Sequence, residues 1–410
     1  MASDSAFRIA VMNTHPIQYF APLYRYIHAS DDVDMHALYL SDFSLQGGKD
    51  EGFGVAVRWD VDLMSGYPSQ FVGGRAQHST SHGFWTYVCP QLWSILRPQR
   101  FDALWLHGHG FAANILALLT ARLRGIPVFM RAETQLDVET GGMKKRLRRL
   151  LMPLLYRQCA QLLAIGSRNR DYYHSLGIAD DRIALVPYAV DNQRFADAAN
   201  ISDDERARIR ASYGIDDDAP VILFASKLNY RKRAQDLIAA MARLQSDGVT
   251  AHLLIVGSGD YEQVLRIQAS DLGLQRITFA GFVNQAGLPS VYAASDVFVL
   301  PSEKENWGLI VNEVMVVGLP VVTTHEVGCV PDLVHHGDNG YLYQTGDVIE
   351  LASALTALAS DAALRSRMGQ RSREIIAHWG YGECLAGIRQ AISRVRAGQE
   401  RFSPRRRHSP

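Results

Sequence analysis

Long apolar runs are missing from this chain of 410 residues. No segment approaches the ~18 consecutive apolar residues needed to span a bilayer. Cysteine is scarce: the four present, Cys89, Cys159, Cys329 and Cys384, include no Cys-x-x-Cys pair. That excludes a structural zinc site and predicts a reducing compartment without a disulfide framework. Excess charge of either sign is absent too, since 42 Lys and Arg face 42 Asp and Glu. The balance argues against wholesale nucleic-acid binding, which rests on a strong basic excess. Met1–Ala6 is polar and lacks the charged-then-apolar run of a secretion signal, so a cytoplasmic location is the default expectation. What is present, 47% hydrophobic and 20% charged residues, describes a folded chain of two or three domains at ~100–200 residues each.

Strand and helix signals take turns along the chain. Phe7–Met12 reads as a buried strand, followed by a turn at Thr14–Pro16. A helix then carries Phe20, Leu23, Tyr24 and Ile27 at three- and four-residue spacing. The Gly- and Ser-rich region 41–83 carries no clear pattern. From Phe101, strands at 103–106, 127–130, 162–165 and 182–186 alternate with helices at 112–124 and 143–157. After a polar, acidic linker, Ser202–Asp218, the pattern restarts with strands at 221–225, 251–256, 277–280, 297–300 and 320–323. Such alternation means parallel sheets covered on both faces. The fold class is therefore α/β, with two Rossmann-like doubly wound domains facing across a cleft. The expected divisions are 1–190, 191–380, a C-terminal helix 381–400 returning to the first domain, and a disordered basic tail 401–410.

The most informative stretch is 301–320, which opens where a buried strand ends and closes with Gly318-Leu-Pro320. Glu305 and Glu313 are eight positions apart, or ~12 Å if both ride one helix. That separation suits one ligand with hydroxyl-bearing groups at both ends. The backbone N–H groups of Asn306, Trp307 and Gly308 would then sit at the helix N-terminus, a ready place for phosphate. Taken singly, each glutamate reads more readily as a surface carboxylate stabilising a helix.

This stretch resembles the Glu-seven-residues-Glu motif of the retaining glycosyltransferases of family four, which have the GT-B fold. Phe224–Lys232 is similar to the family's basic segment, with Lys227 at its Arg position and Lys232 at its Lys position. Leu254–Asp260 is similar to its glycine-rich turn, and Phe279–Val283 to the turn that cradles the base. Gly328–Gly340 is similar to the stretch after the motif helix, and Pro187–Asp191 with Phe195 to the interdomain linker. The resemblance implies a retaining, metal-independent hexosyltransferase of polysaccharide biosynthesis with no cofactor. Its donor would be a nucleotide-diphosphate sugar, and its acceptor a glycan, lipid-linked or small molecule. Glu305 would hold the sugar hydroxyls, Glu313 the ribose hydroxyls, and Lys227 and Lys232 the diphosphate. Further donor contacts are implied for Ser226, Gly257, Gly281, Phe282, Val283, Asn306, Trp307, Gly308 and Leu309. The chemistry needs such cations, because charge develops on the departing diphosphate. Three rivals stay open: an epimerase or a phosphorylase of the same architecture, and a catalytically silent nucleotide-sugar-binding protein. A dinucleotide site at Gly257-Ser-Gly259 is disfavoured, since Glu262 stands where the third glycine belongs.

The first half departs from the family pattern. The loop Asn13–Tyr19 has no glycine, so His15 or Gln18 is expected to meet the acceptor by side chain. Glu133 stands where family members often carry a His. It would orient an acceptor hydroxyl or accept its proton, or else form a structural ion pair with Arg131, itself an acceptor-binding candidate. His107 and His109 follow the strand 103–106 and are candidates at its carboxyl end. Met143–Arg157 carries six cations and no acid, with Met143, Leu147, Leu150, Leu151, Leu154 and Leu155 on one helical face. The stripe is expected to pack onto the sheet, and the cations to meet the anionic inner face of a membrane.

Overall fold

The computed structural model describes residues 6–47, 58–78, 83–135 and 143–402. The chain divides into two compact units, one of Met1–Leu45, Leu63–Tyr188 and Tyr381–Pro410, the other of Gln46–Asp62 and Ala189–Gly380. Of the described residues, Gln46, Gly47 and 58–62 thus group with the second unit, although the sequence places them in the first.

In the first unit the strands are β1 (Phe7–Asn13), β2 (Val33–Tyr39), β3 (Ser69–Phe71), β4 (Ala103–His107), β5 (Val128–Arg131), β6 (Gln161–Ala164) and β7 (Ile183–Leu185). They pair in parallel in the order β3-β2-β1-β4-β5-β6-β7. The second unit holds β8 (Val221–Ala225), β9 (His252–Val256), β10 (Ile277–Gly281), β11 (Val297–Leu300), β12 (Val321–Thr324) and β13 (Gly340–Tyr343). Their order is β10-β9-β8-β11-β12-β13, again parallel. In each sheet the order reverses once, between β1 and β4 and between β8 and β11. Those two reversals are where an open α/β sheet binds its ligands, at the carboxyl ends of the strands.

The central strands announce themselves because both faces are covered, as in β8, where all five residues are buried. The strands without a strong signal are β2, β3 and β13. β2 mixes Asp34 and His36 into its run, and the edge strands β3 and β13 have only three and four residues. The acidic stretch 202–218 is not an open linker, for it contains the helix Asp203–Ser212. The Ser202 hydroxyl caps that helix by accepting from the Glu205 N–H at 3.2 Å. Arg206 and Arg210 then reach Asp296 at 2.7 and 2.5 Å. The same carboxylate accepts the Val221 N–H at 2.7 Å, which ties the helix to the amino ends of β8 and β11.

The leucine stripe of the helix Met143–Tyr156 does not pack as expected. Leu150, Leu151 and Leu154 are 70, 47 and 57% exposed. Met152, Leu155 and Tyr156 form the packed face instead, which turns Leu150, Leu151 and Leu154 outward. Met143 and Leu147 fall among side chains outside those described. The helix Tyr381–Phe402 buries Cys384, Leu385, Ile388 and Ile392 within the first unit. Gly387 lets it approach β7, because a Cβ there would lie 1.9 Å from the Leu185 carbonyl oxygen. The tail 403–410 lies outside the described residues. Among those described, no helix is long and apolar enough to cross a membrane.

Candidate functional site

The second unit concentrates its polar side chains at the β8/β11 reversal. The loop Ser226–Arg233 leaves β8, and Pro301–Gly308 leaves β11. They are laced together: the Glu303 N–H donates to the Arg231 carbonyl at 3.0 Å, and Arg231 Nη2 to the Lys304 carbonyl at 3.4 Å. Asn229 Oδ1 accepts the Lys232 N–H at 3.2 Å, shaping a 3-10 turn at Tyr230–Lys232. Arg233 follows with φ 52°, held there by Asp236 at 2.6 Å. This folding brings the Lys232 ammonium onto Glu305 Oε1, and the Ser302 hydroxyl donates to the same oxygen at 3.0 Å. Both members of the pair are partly covered, at 20 and 17% side-chain exposure. A cation and a carboxylate therefore meet at the place where the fold binds ligands.

Glu305 and Glu313 do not ride one helix. Glu305 forms an isolated bridge with Val327 ahead of the helix, with the Gly328 N–H donating to the Glu305 carbonyl at 3.1 Å and the Cys329 N–H to that of Trp307 at 3.0 Å. Gly308, at φ 92° and ψ 57°, then turns the chain into the helix Leu309–Val317. The ~12 Å helical spacing consequently does not apply. Gly308 is the N-cap, so the first N–H groups of the helix are those of Leu309, Ile310 and Val311; Val311 donates to the Gly308 carbonyl at 2.8 Å, and those of Leu309 and Ile310 have no acceptor among the described residues. Asn306 is exposed. Trp307 is a buried anchor, its indole N–H donating to Asn312 Oδ1 at 2.8 Å and its ring 5.4 Å from that of Trp379. Glu313 is buried within the helix, and the Tyr292 hydroxyl donates to its Oε2 at 2.6 Å. Ser302 and Tyr292 were invisible in the sequence. Ser302 has a positional hint, directly beyond a strand end, whereas Tyr292 lies 21 positions upstream on another helix.

The glycine-rich turn serves backbone packing. A Cβ on Gly257 would lie 1.9 Å from the Ser226 carbonyl oxygen, and one on Gly259 2.1 Å from that of Leu228. The Gly257 N–H donates to the Gly281 carbonyl at 2.8 Å, and the Leu228 N–H to that of Ser258 at 2.9 Å. The turn thus presses on the loop that carries Lys227, which is half-buried, and joins it to the β10 end at Gly281, Phe282 and Val283.

In the first unit, His15, Gln18, His107, His109, Arg131 and Glu133 all lie at or beyond the carboxyl ends of β1, β4 and β5. Two of them are locked into an aromatic cluster. His107 Nε2 meets the Tyr24 hydroxyl at 2.8 Å, and its ring stacks 5.1 Å from Trp105. Burial, helped by the Arg131 charge, holds its imidazole well below the usual histidine range. Arg131 is itself buried, its guanidinium 4.6 Å from the Tyr188 ring and 5.4 Å from Phe20. It donates to the Pro187 carbonyl at 3.4 Å, and its Nε and Nη1 have no partner among the described residues. Arg131 and Glu133 form no ion pair. β5 ends at Arg131, so the alternation that would place both on one face stops, and Glu133 is exposed. His15 Nδ1 meets the Thr14 hydroxyl at 3.0 Å, and His109 sits edge-on to Tyr156 at 5.9 Å. Gln18 is half-buried. Among the described residues, no group of three His, Cys, Asp or Glu has an arrangement that holds a metal.

Comparison with known proteins now bears on this geometry. Residues 205–375 match the family described as glycosyl transferases group 1, and residues 18–189 the glycosyl transferase 4-like domain. N-acetyl-alpha-D-glucosaminyl L-malate synthase of Bacillus anthracis is 33% identical over 173 residues, 42% of this chain and 44% of that protein. A GDP-mannose-dependent monoacylated alpha-(1-6)-phosphatidylinositol monomannoside mannosyltransferase of Corynebacterium glutamicum is 32% identical over 220 residues, 51% of this chain and 56% of that one. The chain thus spans about half the length of these curated relatives. Among solved structures, Anabaena HepE in complex with UDP and glucose has a TM-score of 0.71 at 18% identity, over 94% of this chain and 99% of that one. This likeness shows the shared fold. One family match lies in each half, so the chain carries a glycosyl transferase 4-like domain followed by a glycosyl transferases group 1 domain, in the two-sheet architecture of the GT-B fold.

Proposed function

We propose that this chain moves a sugar from a nucleoside-diphosphate donor to an acceptor hydroxyl, with retention of anomeric configuration and without a metal or other cofactor. The observation that carries the reading is the contact of Lys232 with Glu305 at the β8/β11 reversal. In the reaction the bond from sugar C1 to the donor phosphate oxygen breaks. The acceptor oxygen bonds to C1 on the same face, and its proton passes to the departing phosphate oxygen. Lys227, Lys232 and the N–H groups of Leu309 and Ile310 neutralise the charge that develops there. Lysine at 227 keeps the charge that an arginine would bring but not its two-pronged grip. Glu305 takes sugar hydroxyls, and Glu313, steadied by Tyr292, takes the ribose. His15, Gln18, His109 and Glu133 stand for the acceptor, with His107 and Arg131 shaping the cluster behind them. A lipid-linked glycan is the acceptor we favour.

A panel of nucleotide sugars, screened by thermal shift and then by turnover with acceptor mixtures, tests this reading. Product with retained configuration, lost in Glu305→Ala, supports it. Free nucleotide and an altered sugar formed without acceptor would identify an epimerase, and binding without any turnover a silent binding protein. Six cations and no acid in 143–157, with Leu150, Leu151 and Leu154 exposed, support contact of this helix with an anionic membrane face. Co-sedimentation with anionic vesicles, weakened in Leu150→Ser/Leu154→Ser, checks it; sedimentation indifferent to anionic lipid removes it.

A further inference from the structure

A second feature of the first unit lies at the opposite end of its sheet. At the amino ends of β5 and β6, one strand length (~13 Å) from their carboxyl ends, a cavity of about 720 Å³ opens. Its polar lining is dominated by Arg122, Arg157, Arg182 and Arg394, its apolar wall includes Val128 and Val395, and no acid lines it among the described residues. None of the four arginines forms an ion pair among the described residues. Arg182 donates to the carbonyls of Arg157 and Cys159, and Arg394 Nη1 to the Ile183 carbonyl at 2.8 Å. A guanidinium has five N–H groups, so both keep donors in reserve. The side chains of Arg122 and Arg157 make no hydrogen bond among the described residues. A Cβ built on Gly125 or Gly398, also in the lining, meets nothing within 4 Å, so the space is open.

The charge arithmetic favours an anion. The helices Ala112–Leu123 and Met143–Tyr156 both end here, and their carbonyl ends carry about −0.5 each. Four guanidinium charges outweigh them threefold or more. Burial pushes the Cys159 thiol up to about 12, while Arg182 and Arg122 pull it back; the two cations share one region. A doubly charged group with several oxygens can accept from more than one arginine fork at once, which a carboxylate with two oxygens does less well. Leu154, exposed one helical turn before Arg157, sets apolar surface beside the charge.

We infer that this cavity is a second anion site, taking a phosphoryl group presented either free in solution or on a lipid headgroup. The site stands apart from the transfer reaction and does not depend on it. Hydrogen–deuterium exchange on the full chain tests it, with inorganic pyrophosphate in one arm. The other arm uses phosphatidylcholine vesicles with and without phosphatidic acid. Slower exchange is expected in segments 122–128, 157–161 and 394–398, and the protection should be lost in Arg122→Gln/Arg157→Gln. These two side chains carry no contacts that the fold uses, so the variant should melt as wild type does. Protection by pyrophosphate as well as by phosphatidate assigns a free phosphoryl ligand, and protection by phosphatidate vesicles alone assigns a headgroup. No protection in either arm, or protection unchanged in the double variant, overturns the site.

Discussion

Glu305 Oε1 accepts from both the Lys232 ammonium and the Ser302 hydroxyl, so removing any one of the three unbalances the others. If Lys232 neutralises a leaving diphosphate, Lys232→Met should lower kcat by about 10²–10³, the scale of losing one preorganised transition-state donor. Glu305→Gln should cost a similar factor, and Ser302→Ala about tenfold or less; steady-state donor turnover reads all three. Tyr292→Phe leaves a buried carboxylate oxygen of Glu313 without its 2.6 Å donor. A stability loss of about 1–3 kcal/mol follows, together with a raised donor KM and little change in kcat. A Tyr292→Phe protein with wild-type KM would show that Tyr292 does not steady a donor-binding Glu313. Of these partners only Ser302 is local to Glu305; Lys232 lies 73 positions from Glu305 and Tyr292 21 from Glu313.

At the scale of elements, the start of the helix Leu309–Val317 depends on one residue. Gly308 sits at φ 92°, and a Cβ there would lie 3.1 Å from Val327 Cγ1 and 3.3 Å from Leu300 Cδ2. Gly308→Ala should cost roughly 1–2 kcal/mol from backbone strain alone, read from the urea midpoint, and turnover should fall as Glu305 shifts. The helix Asp203–Ser212 depends on Asp296, which pairs with Arg206 and Arg210. Arg210 is largely buried, so Asp296→Asn leaves a covered cation poorly matched. We expect a loss of about 3 kcal/mol, with proteolysis beginning in 203–212. The helix was hard to read because its residues are polar almost throughout. It is held by two arginines and a cap, and not by an apolar stripe. The exposed leucines of Met143–Tyr156 make the converse point, since a stripe predicts a helix but not the neighbour it faces.

For the whole molecule, three histidines tie stability to pH. Burial, first of all, holds His36, His107 and His252 below the ordinary histidine value, with nearby Arg100, Arg131 and Arg276 adding to it. The folded chain therefore refuses protons that the unfolded chain takes up below about pH 6.5. Stability is fully present above that pH and is lost as the solution is acidified through it, by at most about 1.4 kcal/mol per histidine per pH unit. The urea midpoint should fall between about pH 7.5 and 5.5, and His252→Gln should flatten the decline; a midpoint constant across that interval would sink the prediction.

Composition and local pattern determined more of this protein than its balanced charge suggests. The two rounds of strand and helix predict two parallel sheets, because a chain covered on both faces must be apolar at short range. The residues around Glu305, Glu313, Lys227 and Lys232 were legible because loops at strand ends stay short in sequence. Only the tertiary structure decided that Lys232 touches Glu305, that Tyr292 holds Glu313, and that Glu305 precedes the helix it was expected to join. It also decided that Arg131 packs against the Phe20 and Tyr188 rings and forms no ion pair with Glu133. Periodicity is a property of neighbours along the chain. Which side chains meet depends on the order in which strands enter the sheet, and no local stretch encodes that order.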